Sequence, residues 1–368
     1  MVQVLDWRGA ANQRGLVLQA VETLRRGETV CFPTETVYTV AASALQPEAV
    51  ERVARFAERP LAVALWSAAQ AVDWSPMLSP MGRRLARRCW PGPVELICDF
   101  SEGSAARLMP EAAKCHVLAG DGVRLTSPAH DAIRLALMEM TEPVVLSAAN
   151  KSDQPYAYAA ATAAERLNDT VSLIVDDGTT RYGQPDTVVR ISGDSWSIVR
   201  PGVVSEALLS RQAAFLVVFV CTGNTCRSPL AEAICKELLA EHLHCASTEL
   251  TERGFQVISA GLAANMGDVA ATEAVLAARE LSADLSGHRS MPLTRELAAM
   301  ADCLVAMTQG HLLTIACYYP DALERSVLLR ADGADVADPI GCDMEVYQHC
   351  AMDIAEQVER LISIWIKK

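Results

Sequence analysis

The sequence predicts an α/β protein of two domains, on three observations. Strand-like and helix-like stretches alternate through both halves of the chain, the pattern resets after Arg200-Pro201-Gly202, and a continuous apolar run from Phe215 to Val220 opens a second strand-loop-helix series. A chain of 368 residues has room for two or three domains at ~150 residues each. The reset places the boundary near residue 212, giving domains 1–212 and 213–368. Hydrophobic residues are 51% and charged residues 21% of the chain, which excludes a mostly disordered protein. Aromatics are only 5%, so Ala, Val, Leu and Ile must build the cores.

Leu16 to Arg26 reads as a helix, with Leu16, Ala20, Val21 and Leu24 on one face and Gly27 stopping it. Glu28 to Phe32 is a short strand that runs into the polar turn Pro33-Thr34-Glu35-Thr36. Val144 to Leu146 and Val171 to Val175 read as buried strands, the second closed by the turn Asp176-Asp177-Gly178. Thr187 to Ile191 and Trp196 to Val199 suit a hairpin across Ser192-Gly193-Asp194. Glu206 to Gln212 is a linker or a short helix. Alternation then resumes up to a long amphipathic C-terminal helix ending near Ile366, with Ile354, Val358, Leu361 and Ile362 along one face.

Lys and Arg number 32 against 45 Asp and Glu, a net charge of −13. That balance argues against broad wrapping of nucleic acid and leaves room for a local basic pocket. The apolar run from Ala213 to Cys221 is too short for a bilayer, which needs about 20 residues. The start, MVQVLDWRGA, lacks the basic-then-apolar layout of a secretory signal. These features predict a soluble cytoplasmic protein with no membrane partner. The 12 cysteines are scattered without a C-x-x-C pair, which suits a reducing compartment and argues against structural zinc.

The segment FLVVFVCTGNTCRSPLAEAI carries the sharpest chemical signal. A buried strand delivers Cys221 to its carboxyl end, the loop Thr222-Gly223-Asn224-Thr225-Cys226 follows, and Arg227-Ser228-Pro229 opens a helix. Ser228 suits the N-cap or first turn, and Pro229 has no N–H to lose there. Such a loop can turn several N–H groups toward one point and bind a tetrahedral oxyanion with the helix N-terminus behind it. Gly223 and Asn224 suit the unusual φ values of a cradle. Arg227 offers a planar fork for two phosphate oxygens. The same field favours the Cys221 thiolate, a nucleophile poised under phosphorus.

From about Leu216 to Ile364 the sequence resembles the low-molecular-weight protein tyrosine phosphatases. Ser259-Ala260-Gly261, Gly287-His288-Arg289-Ser290, Ala301 to Met307 and Asp338-Pro339 fall in the family's order. The resemblance implies a doubly wound parallel sheet and needs no cofactor. It implies that Cys221 attacks, Arg227 holds the phosphoryl oxygens, and Asp338 protonates the leaving group and then activates water. Asn224 braces the loop and Ser228 hydrogen-bonds the thiolate by the same implication. Thr225 stands where tyrosine-specific members commonly carry a larger aliphatic residue. The stretch Asp335 to Gly341, followed by Tyr347, looks like the protein-arginine phosphatase branch, with Ile340 where tyrosine-specific members often place an aromatic. Phosphoarginine and phosphotyrosine proteins both remain candidate substrates. Cys226 either protects Cys221 as a disulfide or fills space beneath the loop.

In the first half, Cys31-Phe32-Pro33-Thr34-Glu35-Thr36-Val37-Tyr38, Arg59-Pro60, Cys89 to Val94, Gly122-Val123-Arg124, Ser147 to Asn150, Asp186 to Val189 and Arg200-Pro201-Gly202 together resemble the YrdC-like threonylcarbamoyl-AMP synthases. The likeness covers about residues 14 to 204. It implies a twisted α/β sheet with a large basic concave pocket for ATP (with magnesium), threonine and bicarbonate. Thr34, Arg59, Arg124, Asn150 and Arg200 are the candidate nucleotide and threonine contacts. Ala57 replaces the family's lysine, Ala148 a serine, and Thr39 and Ala41 its glycines. Three readings stay open. The chain is a phosphatase behind an altered nucleotide-binding module, a bifunctional enzyme that also serves tRNA modification, or a phosphatase regulated by a nucleotide- or RNA-sensing module that meets tRNA only weakly or indirectly.

Overall fold

The computed structural model describes residues 2–56, 60–101, 103–120, 122–151, 154–167 and 170–366. The chain forms two compact units, Met1–Ala213 and Ala214–Lys368. Among the described residues, no helix is long and apolar enough to cross a membrane.

The first unit is built on one mixed sheet. Its strands are β1 (Gln3–Asp6), β2 (Val30–Pro33), β3 (Tyr38–Ser43), β4 (Ala62–Ala64), β5 (Val94–Asp99), β6 (Leu118–Ala119), β7 (Gly122–Thr126), β8 (Val144–Ala148), β9 (Leu173–Asp176), β10 (Thr187–Ser192) and β11 (Ser195–Arg200). They lie in the order β1-β9-β2-β3-β8-β4-β7-β5-β10-β11, with β6 on β7. Alternation along each strand feeds two cores, one per face. Val40, Ala42 and Val63 enter one, and Ala41 and Ala64 enter the other.

Local chemistry sets the edges of these elements. The helix Gln13–Arg25 starts three residues before Leu16 because the Asn12 side chain accepts the Gly15 N–H. The β10–β11 hairpin turns through Gly193 at φ +56°. Residues 206–213 are helical, Glu206–Ala213, and pack against the helix Pro80–Cys89.

The second unit has four parallel strands, β12 (Phe215–Cys221), β13 (Phe255–Gly261), β14 (Cys303–Ala306) and β15 (Ser326–Leu328), in the order β13-β12-β14-β15. Val217, Phe219 and Cys221 face one core, closed by helices Arg227–His242 and Met344–Trp365. Leu216, Val218 and Val220 face the other, closed by Arg295–Met300 and Gln309–Tyr318. The strand order reverses at β12, which places its carboxyl end at the crevice where open α/β sheets bind ligands. Phe219 is fully buried at the centre of this sheet. Phe219→Ala is expected to cost about 3–5 kcal/mol, read as a lowered urea midpoint for the second unit; an unchanged midpoint contradicts that packing.

Candidate active site

The loop after β12 is shaped by Asn224. Its backbone is left-handed at φ 56°, a conformation that asparagine tolerates better than most side chains. Every polar group of its side chain is used. Nδ2 donates to Ser228 Oγ at 3.0 Å and Ser259 Oγ at 2.8 Å, and Oδ1 accepts the Met291 N–H at 2.9 Å. Ser259 passes the chain on to Glu232 Oε2 at 2.6 Å. His288 Nε2 donates to the Asn224 carbonyl at 2.8 Å, which fixes that ring's tautomer. Gly223 has no left-handed φ, so the expectation of unusual backbone at both positions holds for Asn224 alone. The glycine that the cradle requires is Gly261, opposite Cys221 in the β12–β13 register. A Cβ there would lie 2.6 Å from the Thr222 carbonyl and 3.0 Å from the Asn224 nitrogen.

These contacts bring two polar groups to the Cys221 sulfur. The Asn224 N–H lies 3.2 Å from Sγ and Ser228 Oγ lies 2.9 Å from it. Ser228 already accepts from Asn224 and has one proton to give. Its other acceptor, the Ala260 carbonyl, is farther away at 3.4 Å. The sulfur therefore accepts the Asn224 N–H, and its contact with the Ser228 hydroxyl can run in either direction. Cys226 caps the helix Arg227–His242, so Ser228 lies in its first turn. Cys226 is a free thiol 3.4 Å from the Tyr347 hydroxyl.

Arg227 is buried, with Nη1 on the Val336 carbonyl at 3.2 Å and Nη2 on Asp338 Oδ2 at 2.5 Å. Asp338 is half-exposed at 46%, and its Oδ1 accepts the Ile340 N–H at 3.3 Å. Thr222 is bound by His311 Nε2 at 2.9 Å. Burial, then the nearby Arg227 charge, pushes His311 below its usual pKa and keeps the ring neutral. Thr225 is half-buried, with its carbonyl held by the Ala271 N–H at 2.9 Å. Ile340 is 67% exposed.

In the first unit, Thr34, Arg124, Asn150 and Arg200 line one cavity together with Glu35, Thr39, Glu95 and Asp186. Arg59 lies outside the described residues, as does Ala57. Thr34 spends its hydroxyl on the β2–β3 turn, accepting from Thr36 N and Val37 N and donating to the Val37 carbonyl at 2.7 Å. Arg124 is ion-paired to Glu95, both only about one-tenth exposed. Arg200 Nη2 reaches the Asp186 carbonyl at 3.3 Å, and its guanidinium lies 5.9 Å from the Tyr156 ring centre. Among the described lining residues are three carboxylates and two arginines, and the stretch with Arg59 adjoins the lining residue Pro60.

The family model for low molecular weight phosphotyrosine protein phosphatases matches residues 216–368. A protein-arginine-phosphatase of Geobacillus stearothermophilus is 34% identical over 152 residues, 40% of this chain and 93% of that protein. The chain belongs to the low molecular weight phosphotyrosine protein phosphatase family. A second family model, named for Sua5, YciO and YrdC and described as telomere recombination, matches residues 22–202. The threonylcarbamoyl-AMP synthase of Pyrococcus abyssi is 34% identical over 186 residues, 49% of this chain and 52% of that protein, so the chain spans about half that relative's length. A solved Sua5 variant from P. abyssi matches at a TM-score of 0.51 with 22% identity, covers 80% of this chain and 100% of that one, and shows the fold alone.

Sequence reasoning singled out the phosphatase loop but gave no role to Glu232, Ser259, Gly261, His288 or His311. Ser259, Gly261 and His288 sit in the family-like stretches, and their order was the available signal. Glu232 and His311 had none. Gly261→Ala should cut phosphatase turnover by roughly 100-fold while leaving the circular dichroism unchanged; full turnover in that variant contradicts the backbone contact described.

Proposed function

We propose that the second unit hydrolyses phosphorylated protein side chains through a phosphocysteine intermediate, with phosphoarginine preferred over phosphotyrosine. The observation that carries this reading is the Cys221 sulfur, which accepts the Asn224 N–H and lies 2.9 Å from the Ser228 hydroxyl, with Arg227 buried in the first turn of the helix that follows. A phosphoryl group entering the loop meets the Arg227 fork and draws it away from Asp338. Sγ then attacks phosphorus, the S–P bond forms, and the P–N or P–O bond breaks. Asp338 gives its proton to the departing guanidine nitrogen or phenolate oxygen. In the second half, Asp338 takes a proton from water, the water oxygen attacks phosphorus, and the S–P bond breaks to release inorganic phosphate.

The phosphoarginine preference rests on Thr225 at the mouth of the loop and on Ile340 after Asp338-Pro339, where no aromatic ring waits to sandwich a phenyl group. The arginine-phosphatase named among the relatives favours it too. In the first unit the same reasoning supports an altered nucleotide-binding module: Ala57 and Ala148 bring no charge or hydroxyl, and Glu95 occupies Arg124. The Pyrococcus abyssi relative favours the other reading, a second enzyme that makes threonylcarbamoyl-AMP from threonine, bicarbonate and ATP.

Cys221→Ser should abolish turnover with the fold intact, measured by phosphate release; wild-type rates in that variant defeat the mechanism. Asp338→Asn should slow turnover by roughly 10²–10⁴-fold, most for poor leaving groups, and an equal effect across leaving groups removes its role as acid. Thr225→Ile should raise the ratio of aryl-phosphate to phosphoarginine hydrolysis, a few kcal/mol at most, and an unchanged ratio removes the specificity argument.

A further inference from the structure

We propose that His311 is a positioning residue that fixes the Thr222 hydroxyl as a hydrogen-bonding group for the departing side chain of the substrate. The inference rests on the phosphatase reading and extends it, because a polar leaving group such as guanidine is the one that this hydroxyl serves.

Thr222 follows the nucleophile directly and is exposed. An exposed side chain ordinarily flips freely between rotamers, yet this residue is held at both ends. Its carbonyl accepts the Ala263 N–H at 2.9 Å, and its hydroxyl meets His311 Nε2 at 2.9 Å. The His311 ring is buried, only 7% exposed. It stands in the first turn of the helix Gln309–Tyr318, whose start is stitched to the segment that carries Asp338. Gln309 gives its N–H to Asp335 Oδ1 at 2.7 Å and its Nε2 to the Gly333 carbonyl at 3.3 Å. Arg227 holds the Val336 carbonyl and Asp338 from the other side. The Thr222–His311 pair therefore belongs to the Asp338 side of the loop, where the phosphatase reading places the leaving group.

The direction of the hydrogen bond follows from what the ring lacks. Burial, then the Arg227 charge, lowers the His311 pKa against the opposing Asp338 and Asp335, so the ring carries one proton. Its Nδ1 is buried and has no partner. Buried backbone N–H groups without an acceptor are rarer than under-used acceptors, and the same preference puts the ring proton on Nε2, which donates to Thr222 Oγ1. Thr222 keeps its own hydroxyl proton and a second lone pair. Among the described residues nothing else takes them. A guanidine brings further nitrogens beside the one bound to phosphorus and can use both. A phenyl group brings only carbon beyond its ester oxygen.

The test is a double-variant cycle on the full chain, read as kcat/KM with a phosphoarginine protein and with p-nitrophenyl phosphate. Thr222→Val should lower kcat/KM on phosphoarginine about tenfold and leave aryl-phosphate hydrolysis within about threefold. His311→Phe keeps a ring without the donor and should show the same substrate-selective loss. Added to Thr222→Val it should cost nothing more, because His311 acts through that hydroxyl. Thr222→Ser and His311→Gln, which retain the hydroxyl and a donor at the Nε2 position, should restore most of the rate. The exposed Thr222 variants and His311→Gln carry the test if His311→Phe fails to fold. Losses that add in the double variant, or that fall equally on both substrates, overturn the positioning role, as does an unmodified chain that hydrolyses the aryl phosphate alone. An unmodified chain that hydrolyses neither substrate overturns the phosphatase reading itself, and this proposal with it.

Discussion

One sulfur atom held by two polar groups organises the second unit. The Asn224 N–H and the Ser228 hydroxyl meet at Cys221 Sγ, the first presented by a left-handed Asn224 and the second by the helix that follows, and the hold on Asn224 is distributed. Met291, Ser259 and His288 each take one of its polar groups. Ser259 in turn is anchored to the Glu232 carboxylate, which pairs with Lys236 one helical turn on. The parallel register of β12 and β13 places Gly261 beside Cys221, so that the loop can pass where any side chain would obstruct it. Fold and site meet at this strand end, where the sheet's order reverses and a helix begins.

The two units treat arginine in opposite ways. In the second, Arg227 is buried against a carbonyl and a half-exposed Asp338, a partner that leaves easily. In the first, Arg124 is bound to a carboxylate as enclosed as itself. Separating that pair would strand a charge in a medium that solvates it poorly.

What the sequence made legible follows from the range of the interactions involved. Cys221, Arg227, Asn224 and Ser228 lie within one strand-loop-helix unit, so spacing alone indicates their convergence, and Asp338 joined them through the family resemblance. Gly223 was overread. A loop glycine suggests left-handed backbone, yet Asn224 alone takes that geometry. Gly261 carried only the signal of family order and His311 none, because their contacts, to Thr222 and Asn224, cross between strands and a distant helix. In the first unit, Thr34 looked like a ligand contact and serves its own turn as well. The Glu95–Arg124 pairing was invisible for a similar reason: the two residues sit on neighbouring antiparallel strands, and the register, which sets Glu95 against Thr126 and Arg124 against Ile97, makes them diagonal neighbours on one face. Composition could not reveal it either, because a net charge of −13 says nothing of which carboxylate enters a cavity.

Rapid quenching of the full chain with a phosphoarginine protein, followed by mass spectrometry of its peptides, tests the central claim most directly. A phosphoryl group on Cys221 that forms and decays at the rate of turnover is the predicted result. Turnover with no adduct, or with the adduct on another side chain, would contradict the assignment of that sulfur as the nucleophile.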